Sequence, residues 1–228
     1  MITLTAGEIG LLVGGEMHCD KDLLVSKAPV FDSRKATPGC IFLALQGEVL
    51  DGHDYAADAY RAGAMFSLTT RRIDGPCIVV ADVIEALSIL ATFVRKRLNN
   101  LTVIGITGSQ GKTSTKDLMS HMLSVAGPTV SPAGSFNNDL GLPITLLECD
   151  EKTRFCILEM GARHTGDIAR LCSIAQPNIG VVLTVGTAHL GEFGSVEAIA
   201  ETKSELIQTL RPDGIAVLGT YDKYTPAM

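Results

Sequence analysis

The segment from residue 107 to residue 113 has the residue types that bind phosphate groups. It reads TGSQGKT and lies between an apolar run and a segment of helical spacing. Glycines let backbone N–H groups approach phosphate oxygens, Lys112 supplies a positive charge, and Thr113 supplies a hydroxyl for magnesium. The residues that we predict to bind nucleotide are Thr107, Gly108, Ser109, Gln110, Gly111, Lys112 and Thr113.

The glycine spacing of this loop departs from the commonest phosphate-binding pattern. That pattern, G-x-x-x-x-G-K-[ST], requires glycine at position 106, where this chain has Ile106. The usable glycines are Gly108 and Gly111. The helical segment after the loop carries apolar residues at Leu118, Met122 and Val125. A chance match is the alternative, but the apolar run before the loop and the helix after it favour nucleotide binding.

Two more residues capable of chemistry, Glu159 and His189, also follow apolar runs. The runs cover residues 101–106, 155–158 and 179–185, and each is apolar enough to be a buried parallel strand. Ligands of open parallel sheets bind beyond the carboxyl ends of the strands. We therefore expect the phosphate loop, Glu159 and His189 to meet at one edge. Simpler interpretations stay open: a surface carboxylate for Glu159 and a hydrogen-bonded loop histidine for His189.

Lys203 lies on the apolar stripe of a predicted helix. The stripe contains Val196, Ile199, Leu206, Ile207 and Leu210. A charged lysine that points inward is costly, and burial lowers its pKa and makes the neutral amine available. The neutral amine is the form that carbon dioxide converts to a carbamate. The alternative is a lysine whose stem packs while its ammonium reaches solvent.

Strands and helices are predicted to alternate along the whole chain. In the first part, apolar runs at residues 41–45, 65–68 and 77–81 accompany helical patterns at 55–64 and 83–98. Beyond residue 99 the alternation is typical of a mainly parallel sheet with helices on its faces. We predict an α/β fold with two domains. The first is a small α/β domain over residues 1–98, and the second is a P-loop-type sheet flanked by helices over residues 99–228.

Composition excludes several classes of function. The net charge of -6 argues against a nucleic-acid-binding surface, and the basic run at residues 95–97 fits a helix end. The six cysteines lack paired spacing, which predicts buried free thiols in a reducing compartment. No apolar run approaches the length of about 18 residues that a membrane span needs. We expect a soluble, cytoplasmic protein without nucleic-acid partners or membrane insertion.

Several motifs together resemble one enzyme family. They are TGSQGKT, GSFNNDLGLP at residues 134–143, EMG at 159–161 and AHLGEFGS at 188–195. In this order they resemble the Mur ligases of peptidoglycan synthesis, and the MurF type among them. Upstream, DSR at 32–34, FLALQG at 42–47 and DGH at 51–53 resemble the N-terminal domain that holds the substrate's uridine nucleotide. Ser135 and Thr184 depart from the family, which commonly has asparagine at both places.

The resemblance implies an ATP-dependent ligase that adds D-alanyl-D-alanine to UDP-N-acetylmuramoyl-tripeptide through an acyl phosphate. The implied catalytic residues are Lys112, Lys203 and His189. The implied magnesium ligands are Thr113, Glu159, His189 and Lys203, with Lys203 as a carbamate. The implied substrate-binding residues are Ser33, Arg34, Asn137 and Asn138. Turn capping is an open alternative for the two asparagines.

The family also has a C-terminal domain that binds the incoming amine and part of the ATP. By that comparison, the chain is expected to hold the N-terminal domain and an incomplete central domain, without the C-terminal one. Two other functions stay open. One is a folylpolyglutamate-type ligase, which shares the loop and the carbamylated lysine but is disfavoured by the upstream motifs. The other is a truncated fragment that binds nucleotide or UDP-muramoyl peptide without catalysis.

Overall fold

The structure is a computed structural model that describes residues 1–188 and 190–228. His189, which we predict to be a catalytic and metal-binding residue, lies outside the described residues. The chain divides into two compact units, Met1–Val94 and Arg95–Met228. The division falls inside a helix that spans Val83–Arg97, slightly before the domain boundary that we predict after residue 98.

The first unit contains a four-stranded sheet and a separate two-stranded ribbon. Its elements are β1 (Leu4–Thr5), α1 (Ala6–Val13), β2 (Glu16–His18), β3 (Leu24–Val25), β4 (Ile41–Leu43), α2 (Ala56–Ala62), β5 (Phe66–Thr69), β6 (Cys77–Val79) and α3 (Val83–Arg97), with 3-10 turns at Ser33–Lys35 and Gly52–Tyr55. The sheet has the order β2-β6-β5-β4, in which β4, β5 and β6 are parallel and β2 is antiparallel to β6. Strands β1 and β3 pair antiparallel.

Apolar periodicity correctly identified the main elements of this unit. The runs at residues 41–45 and 77–81 contain β4 and β6, the run at 65–68 overlaps β5, and the stripe at 83–98 corresponds to α3 and its buried face. Helix α3 begins after Asp82, whose carboxylate accepts hydrogen bonds from the backbone N–H groups of Ile84 and Glu85. Such a cap satisfies donors that the first turn of a helix leaves open.

The second unit is a five-stranded parallel sheet. Helices connect most of its strands along the chain. Its elements are β7 (Thr102–Thr107), α4 (Lys112–Ser124), β8 (Thr129–Val130), α5 (Gly141–Leu147), β9 (Phe155–Glu159), α6 (Asp167–Ala175), β10 (Ile179–Val182), α7 (Leu190–Phe193), α8 (Val196–Gln208) and β11 (Ile215–Leu218), followed by a 3-10 turn at Thr225–Ala227. The strand order is β11-β10-β7-β9-β8, and all four pairings are parallel. The predicted α/β class is confirmed.

The three apolar runs that precede reactive residues become the three central strands. Strand β7 lies between β10 and β9, with Ile106 opposite Glu159 and Thr107 opposite Val182. The carboxyl ends of these strands are therefore level. The phosphate loop and Glu159 lie at one edge of the sheet, as the sequence predicts.

The apolar residues that the sequence shows after the phosphate loop are not the buried face of α4. Leu118, Met122 and Val125 are 67%, 70% and 87% exposed, whereas Lys116 is buried and Met119 and Leu123 pack on the core of the sheet. Both sets have helical spacing, so periodicity alone does not select between them. The phosphate loop selects, because it holds Lys112 toward the strand ends. Lys116, Met119 and Leu123 follow Lys112 by four, seven and eleven residues, so they share its face of the helix.

The state of the cysteines agrees with the compositional expectation. All six cysteines are free, and five of them are buried. Among the helices within residues 1–188 and 190–228, none combines the length and the apolar character that crossing a bilayer requires.

Arg95 connects the end of α3 to the start of β10. Its guanidinium donates to the carbonyl oxygens of Ala175 and Gln176 at 2.9 and 3.0 Å and to Asn178 Oδ1 at 3.0 Å. Asn178 Oδ1 also accepts from the backbone N–H of Val103 at 2.8 Å. Burial lowers the pKa of Arg95, as expected for a guanidinium removed from water. Arg95 therefore satisfies acceptors that α6 and the next loop leave open.

Replacing Arg95 with alanine is expected to lower the free energy of unfolding by about 2–3 kcal/mol, because several hydrogen bonds to a charged donor are lost together. Urea denaturation followed by circular dichroism measures this change. The neighbouring Lys96 is exposed, and Lys96→Ala is the matched control, with an expected change below about 0.5 kcal/mol. Equal effects of the two substitutions would contradict this role for Arg95.

Candidate functional site

The phosphate loop connects β7 to α4 in a conformation that specific contacts hold. Gly111 has a φ of 85° and is the N-cap of α4, so no side chain competes for the N–H groups of the first turn. Lys112 Nζ donates to the carbonyl oxygen of Gly108 at 2.7 Å. A Cβ on Gly108 would lie 3.0 Å from Leu183 Cβ, so a larger residue would press on the strand end beside it. The loop thus presents a helix N-terminus suited to an anion.

Three of the predicted nucleotide-binding side chains differ in their surroundings. The Thr107 hydroxyl is buried and donates to the carbonyl oxygen of Met160 at 2.9 Å, which joins β7 to the residue after β9. Ser109 Oγ accepts from the backbone N–H of Gly186 at 2.8 Å and ties the loop to the segment after β10. Gln110 is exposed. The hydroxyl groups of Thr107 and Ser109 therefore form hydrogen bonds with backbone groups of the neighbouring segments.

Glu159 is the buried carboxylate of the site. The residue is fully buried, and its Oε2 accepts from Thr113 Oγ1 at 3.4 Å. Its Oε1 is buried without a hydrogen-bond partner among the described residues. A buried carboxylate oxygen without a partner is costly, and a cation would remove that cost. The interpretation of Glu159 as an exposed strand-end carboxylate is wrong.

Thr113 and Glu159 line the same cavity, which has a volume of about 310 Å³. Its described lining residues are Gly111, Lys112, Thr113, Ser114, Ser135, Asn137 and Glu159. Burial lowers the pKa of Lys112, while the Glu159 carboxylate acts in the opposite direction. The cavity therefore places a lysine, a hydroxyl and a carboxylate together at the beginning of α4.

Lys203 lies on the inward face of α8, as predicted. The residue is 8% exposed, and it makes no hydrogen bond or ion pair with the described part of the chain. Burial, with a smaller contribution from the positive charge of Lys112, lowers the pKa of Lys203 to about 8. At mildly alkaline pH, the Lys203 amine is therefore neutral in a substantial fraction of the molecules.

Lys203 lines a second and larger cavity, of about 510 Å³, together with Lys112. The other charged or titratable side chains that line it are Asp139, Arg163, His164, Asp167 and Arg170. Arg170 forms ion pairs with Asp139 and Asp167. Lysine and arginine outnumber aspartate in this described lining, which suits an anionic ligand. Sequence reasoning missed Arg163, His164 and Arg170, because their loop and helix follow β9 without a chemical motif.

Asn137 and Asn138 have different roles in the structure. Asn138 Oδ1 accepts from the backbone N–H of Gly141 at 2.9 Å and caps the start of α5, as the turn-capping alternative proposes. The carbonyl oxygen of Asn137 accepts from Gly161 N at 2.9 Å. The Asn137 side chain lies against Gly161, where an added Cβ would be 2.9 Å from Asn137 Cγ. Both asparagines line the larger cavity, and Asn137 lines the smaller one as well.

Ser33 and Arg34 belong to the first unit, in the 3-10 turn that Asp32 caps. Arg34 donates to both carboxylate oxygens of Asp32, at 2.9 and 2.8 Å, and its side chain is 87% exposed. The hydrogen bonds from Arg34 lower the pKa of Asp32 to about 2. Contact of Ser33 and Arg34 with a uridine nucleotide stays a prediction.

Asp222, which sequence reasoning missed, organises the segment after β10. Its carboxylate accepts from Thr184 Oγ1 at 3.1 Å, from Val185 N at 2.9 Å, and from the N–H and hydroxyl of Thr225 at 2.8 and 2.7 Å. Burial raises the pKa of Asp222, but these hydrogen bonds outweigh it and hold the pKa below its ordinary value. Asp222 is found only through the fold, because it lies almost forty positions from Thr184.

Comparison with protein families identifies the chain. The family model described as the Mur ligase middle domain matches residues 106–228, and the one described as the Mur ligase family, catalytic domain, matches residues 30–95. The first match alone covers more than half of the 228 residues. The chain belongs to the Mur ligase family. The resemblance carried by its motifs is confirmed.

Curated relatives of this Mur ligase chain share one name, UDP-N-acetylmuramoyl-tripeptide--D-alanyl-D-alanine ligase. The protein from Mycobacterium tuberculosis (strain ATCC 25618 / H37Rv) is 48% identical over 100% of this chain and 50% of its own length. The Escherichia coli (strain K12) protein is 38% identical over 96% of this chain and 48% of its own length. The chain spans about half the length of these relatives.

Solved Mur ligase structures share the fold. A crystal structure of MurF from Acinetobacter baumannii superposes with a TM-score of 0.88 at 36% identity, over 99% of this chain and 50% of that one. The MurF ligase from Thermotoga maritima, crystallised in complex with ADP, gives a TM-score of 0.75 at 36% identity over 86% of this chain and 46% of its own. Both units of this Mur ligase chain therefore have counterparts in solved MurF structures.

In this Mur ligase chain, the Asp222 carboxylate accepts hydrogen bonds from Thr184, Val185 and Thr225, and an amide cannot accept all of them. Asp222→Asn is therefore expected to lower the free energy of unfolding at pH 7 by about 1–2 kcal/mol. A carboxyl group whose folded-state pKa is depressed stabilises the fold above its unfolded pKa of about 3.9, and the stabilisation is lost as pH falls through the folded pKa. Urea midpoints at pH 7 and pH 3 measure the difference, which narrows at pH 3. Asp213→Asn, at an exposed ion pair with Arg211, is the control.

Lys203→Met is expected to raise the free energy of unfolding at pH 7 by about 3 kcal/mol in buffer free of carbon dioxide. The folded-state pKa of about 8 lies below the unfolded value near 10.4, so protonation at pH 7 favours the unfolded chain. The gain shrinks between pH 8 and pH 10. Thermal unfolding across that range measures it, with exposed Lys152→Met as the control. A pH-independent difference would contradict the depressed pKa.

Proposed function

We propose that this chain is the ATP-using part of a ligase that joins D-alanyl-D-alanine to UDP-N-acetylmuramoyl-tripeptide. The observation that carries the proposal is the unpartnered, buried Oε1 of Glu159 beside Thr113, directly at the phosphate loop. A structural carboxylate at this depth would have its oxygens paired. The shared name of the curated relatives supports the choice of substrates.

The proposed reaction activates a carboxylate and then forms an amide. A carboxylate oxygen of the tripeptide attacks the γ-phosphorus of ATP, and the bond to the leaving ADP oxygen breaks, which yields an acyl phosphate. The amine of D-alanyl-D-alanine then attacks the acyl carbon, and inorganic phosphate and a proton leave. Lys112 and the N-terminus of α4 would stabilise negative charge on the phosphate oxygens during the first step.

The residues at the loop fit Mg²⁺. Thr113 Oγ1 and Glu159 Oε1 are hard oxygen ligands, and Mg²⁺ in triphosphate sites takes one or two protein ligands with waters and phosphate oxygens. The described residues contain no group of three or more His, Cys, Asp or Glu side chains placed to hold a metal. When bound, Mg²⁺ would neutralise charge on the β- and γ-phosphates. His189 stays a proposed ligand outside the described residues.

Lys203 would serve the same site after carbamylation. Its neutral amine attacks carbon dioxide, an N–C bond forms and a proton leaves, so the side chain becomes an anion. That reaction would replace a cation near Lys112 with a carboxylate-like ligand for a second Mg²⁺. The depressed pKa and the absence of a described partner for Lys203 support this role. Asn137 and Asn138 would face the substrate's phosphates in the same cavity.

The first unit would hold the uridine nucleotide through Ser33 and Arg34. The second match in family comparison, over residues 30–95, includes both. Arg34 offers a planar fork of donors that suits a diphosphate, although in the present structure Asp32 occupies two of them. To bind a diphosphate, Arg34 would have to break its hydrogen bonds with Asp32 or use its remaining guanidinium N–H groups.

Phosphate release measures the proposed reaction directly. The assay contains ATP, Mg²⁺, UDP-N-acetylmuramoyl-tripeptide and D-alanyl-D-alanine, with this chain or with a version extended to the length of its relatives. Release in the extended protein that depends on both acceptor substrates is the expected result. Release that depends instead on a folate and glutamate would favour the folylpolyglutamate-type alternative. Nucleotide binding without release in either form would favour a non-catalytic binding protein.

Glu159→Gln is expected to reduce the effect of Mg²⁺ on nucleotide affinity by roughly tenfold or more, because a charged metal ligand is replaced by a neutral amide. Calorimetric titration with a non-hydrolysable ATP analogue, with and without Mg²⁺, measures this. Affinity in the absence of Mg²⁺ should change little. Glu151→Gln, in an exposed turn, is the matched control. An unchanged Mg²⁺ effect in Glu159→Gln would remove Glu159 from the metal site.

A further inference from the structure

Lys116 is a buried lysine that the proposed reaction does not use. It lies on α4, one turn after Lys112, and is 2% exposed. Within α4, which the structure describes completely, it is the single buried residue. A charged group at this depth persists only when its donors are matched by acceptors.

Three oxygen atoms surround the ammonium group of Lys116. Its Nζ lies 2.7 Å from the carbonyl oxygen of Pro132, 3.3 Å from that of Gly134 and 2.8 Å from a carboxylate oxygen of Asp117. An ammonium group has three N–H donors and no acceptor. Two of the donors are engaged by backbone carbonyl groups inside the protein, and the exposed carboxylate of Asp117 pairs with the positive charge.

The two carbonyl groups belong to residues 131–139, which we call the asparagine segment. Residues 131–137 of the segment form neither helix nor strand, and Gly134 has a φ of 89°. Such a segment cannot be held by a regular pattern of backbone hydrogen bonds. A second contact also attaches the asparagine segment to α4: Ser120 Oγ and Ser131 Oγ lie 2.9 Å apart. Lys116 and Ser120 are four residues apart and so share one helix face.

The asparagine segment forms one wall of the smaller cavity. Ser135 and Asn137 line it together with Thr113 and Glu159. Downstream, the segment is fixed where Asn137 accepts from Gly161 N and where Asn138 caps α5. Upstream, Lys116 and Ser120 of α4 contact the segment. The same helix thus begins at the phosphate loop and also contacts the asparagine segment, which lines the same cavity.

We propose that Lys116 is a positioning residue that holds Ser135 and Asn137 against the nucleotide and its metal, through the contacts of its ammonium group with Pro132 and Gly134. The inference rests on the proposed nucleotide site. It adds a second attachment of α4 to that site, separate from the loop itself. Lys116 acts through the asparagine segment and touches no ligand.

A double-mutant cycle tests this role. Lys116→Met is made in the parent chain and in a chain that already carries Ser135→Ala and Asn137→Ala. Dissociation constants for the Mg²⁺ complex of a non-hydrolysable ATP analogue are measured for all four proteins. Lys116→Met is expected to weaken binding about tenfold in the parent chain and less than about twofold in the double-alanine chain, since coupled residues are non-additive. Lys96→Met, at an exposed lysine, is the control for removal of charge.

Amide hydrogen exchange supplies the structural readout. Faster exchange is expected at residues 135–138 in Lys116→Met, with α4 and the sheet unchanged. If Lys116→Met does not fold, Lys116→Gln, which keeps two donors, takes its place with the same expectation. Equal losses of affinity in both backgrounds, or no loss in either, would overturn the proposal while leaving the nucleotide site intact. A parent chain that binds no nucleotide would overturn both.

Discussion

The site depends on the parallel register of the three central strands. Because Ile106 is opposite Glu159 and Val182 is opposite Thr107, the strands β9, β7 and β10 end at the same level. The segments that follow them can then contact one another across the sheet edge, as Ser109 does with Gly186. A shift of one residue in either pairing would turn every side chain of the shifted strand to the opposite face. Glu159 would then leave the cavity.

The sheet edge at the carboxyl ends of β9, β7 and β10 brings several charged side chains into the protein interior, where an unpaired charge is unfavourable. Lys112, Lys203 and Glu159 are all buried to a large extent, and the pKa values of both lysines are depressed. The positive charge of Lys112 disfavours the charged form of Lys203, and one oxygen of Glu159 has no described partner. Such an arrangement costs stability unless ligands of the opposite sign are present. Under the proposed function, bound nucleotide with Mg²⁺ would supply both signs, and the fold would be more stable with these ligands than without them.

Local patterns predicted strands β4, β5, β6, β7, β9 and β10, the phosphate loop, the position of Glu159 at a strand end and the inward face of Lys203. Each follows from residues within about ten positions of one another. The helical phase of α4 was not predicted, because two stripes of equal spacing compete and only the loop geometry decides between them. Asp222 and Lys116 were missed for another reason. Their partners lie in other segments, and contacts of that kind depend on the assembled sheet.

Paramagnetic relaxation with Mn²⁺ in place of Mg²⁺ tests the location of the site most directly. With a non-hydrolysable ATP analogue bound, the amide resonances of Thr113 and Glu159 should broaden strongly. Those of Thr102 and Phe155, at the opposite ends of β7 and β9 and roughly 15 Å away along the strands, should broaden far less. Broadening that is strongest away from the carboxyl ends, or that is unchanged in Glu159→Gln, would contradict the account.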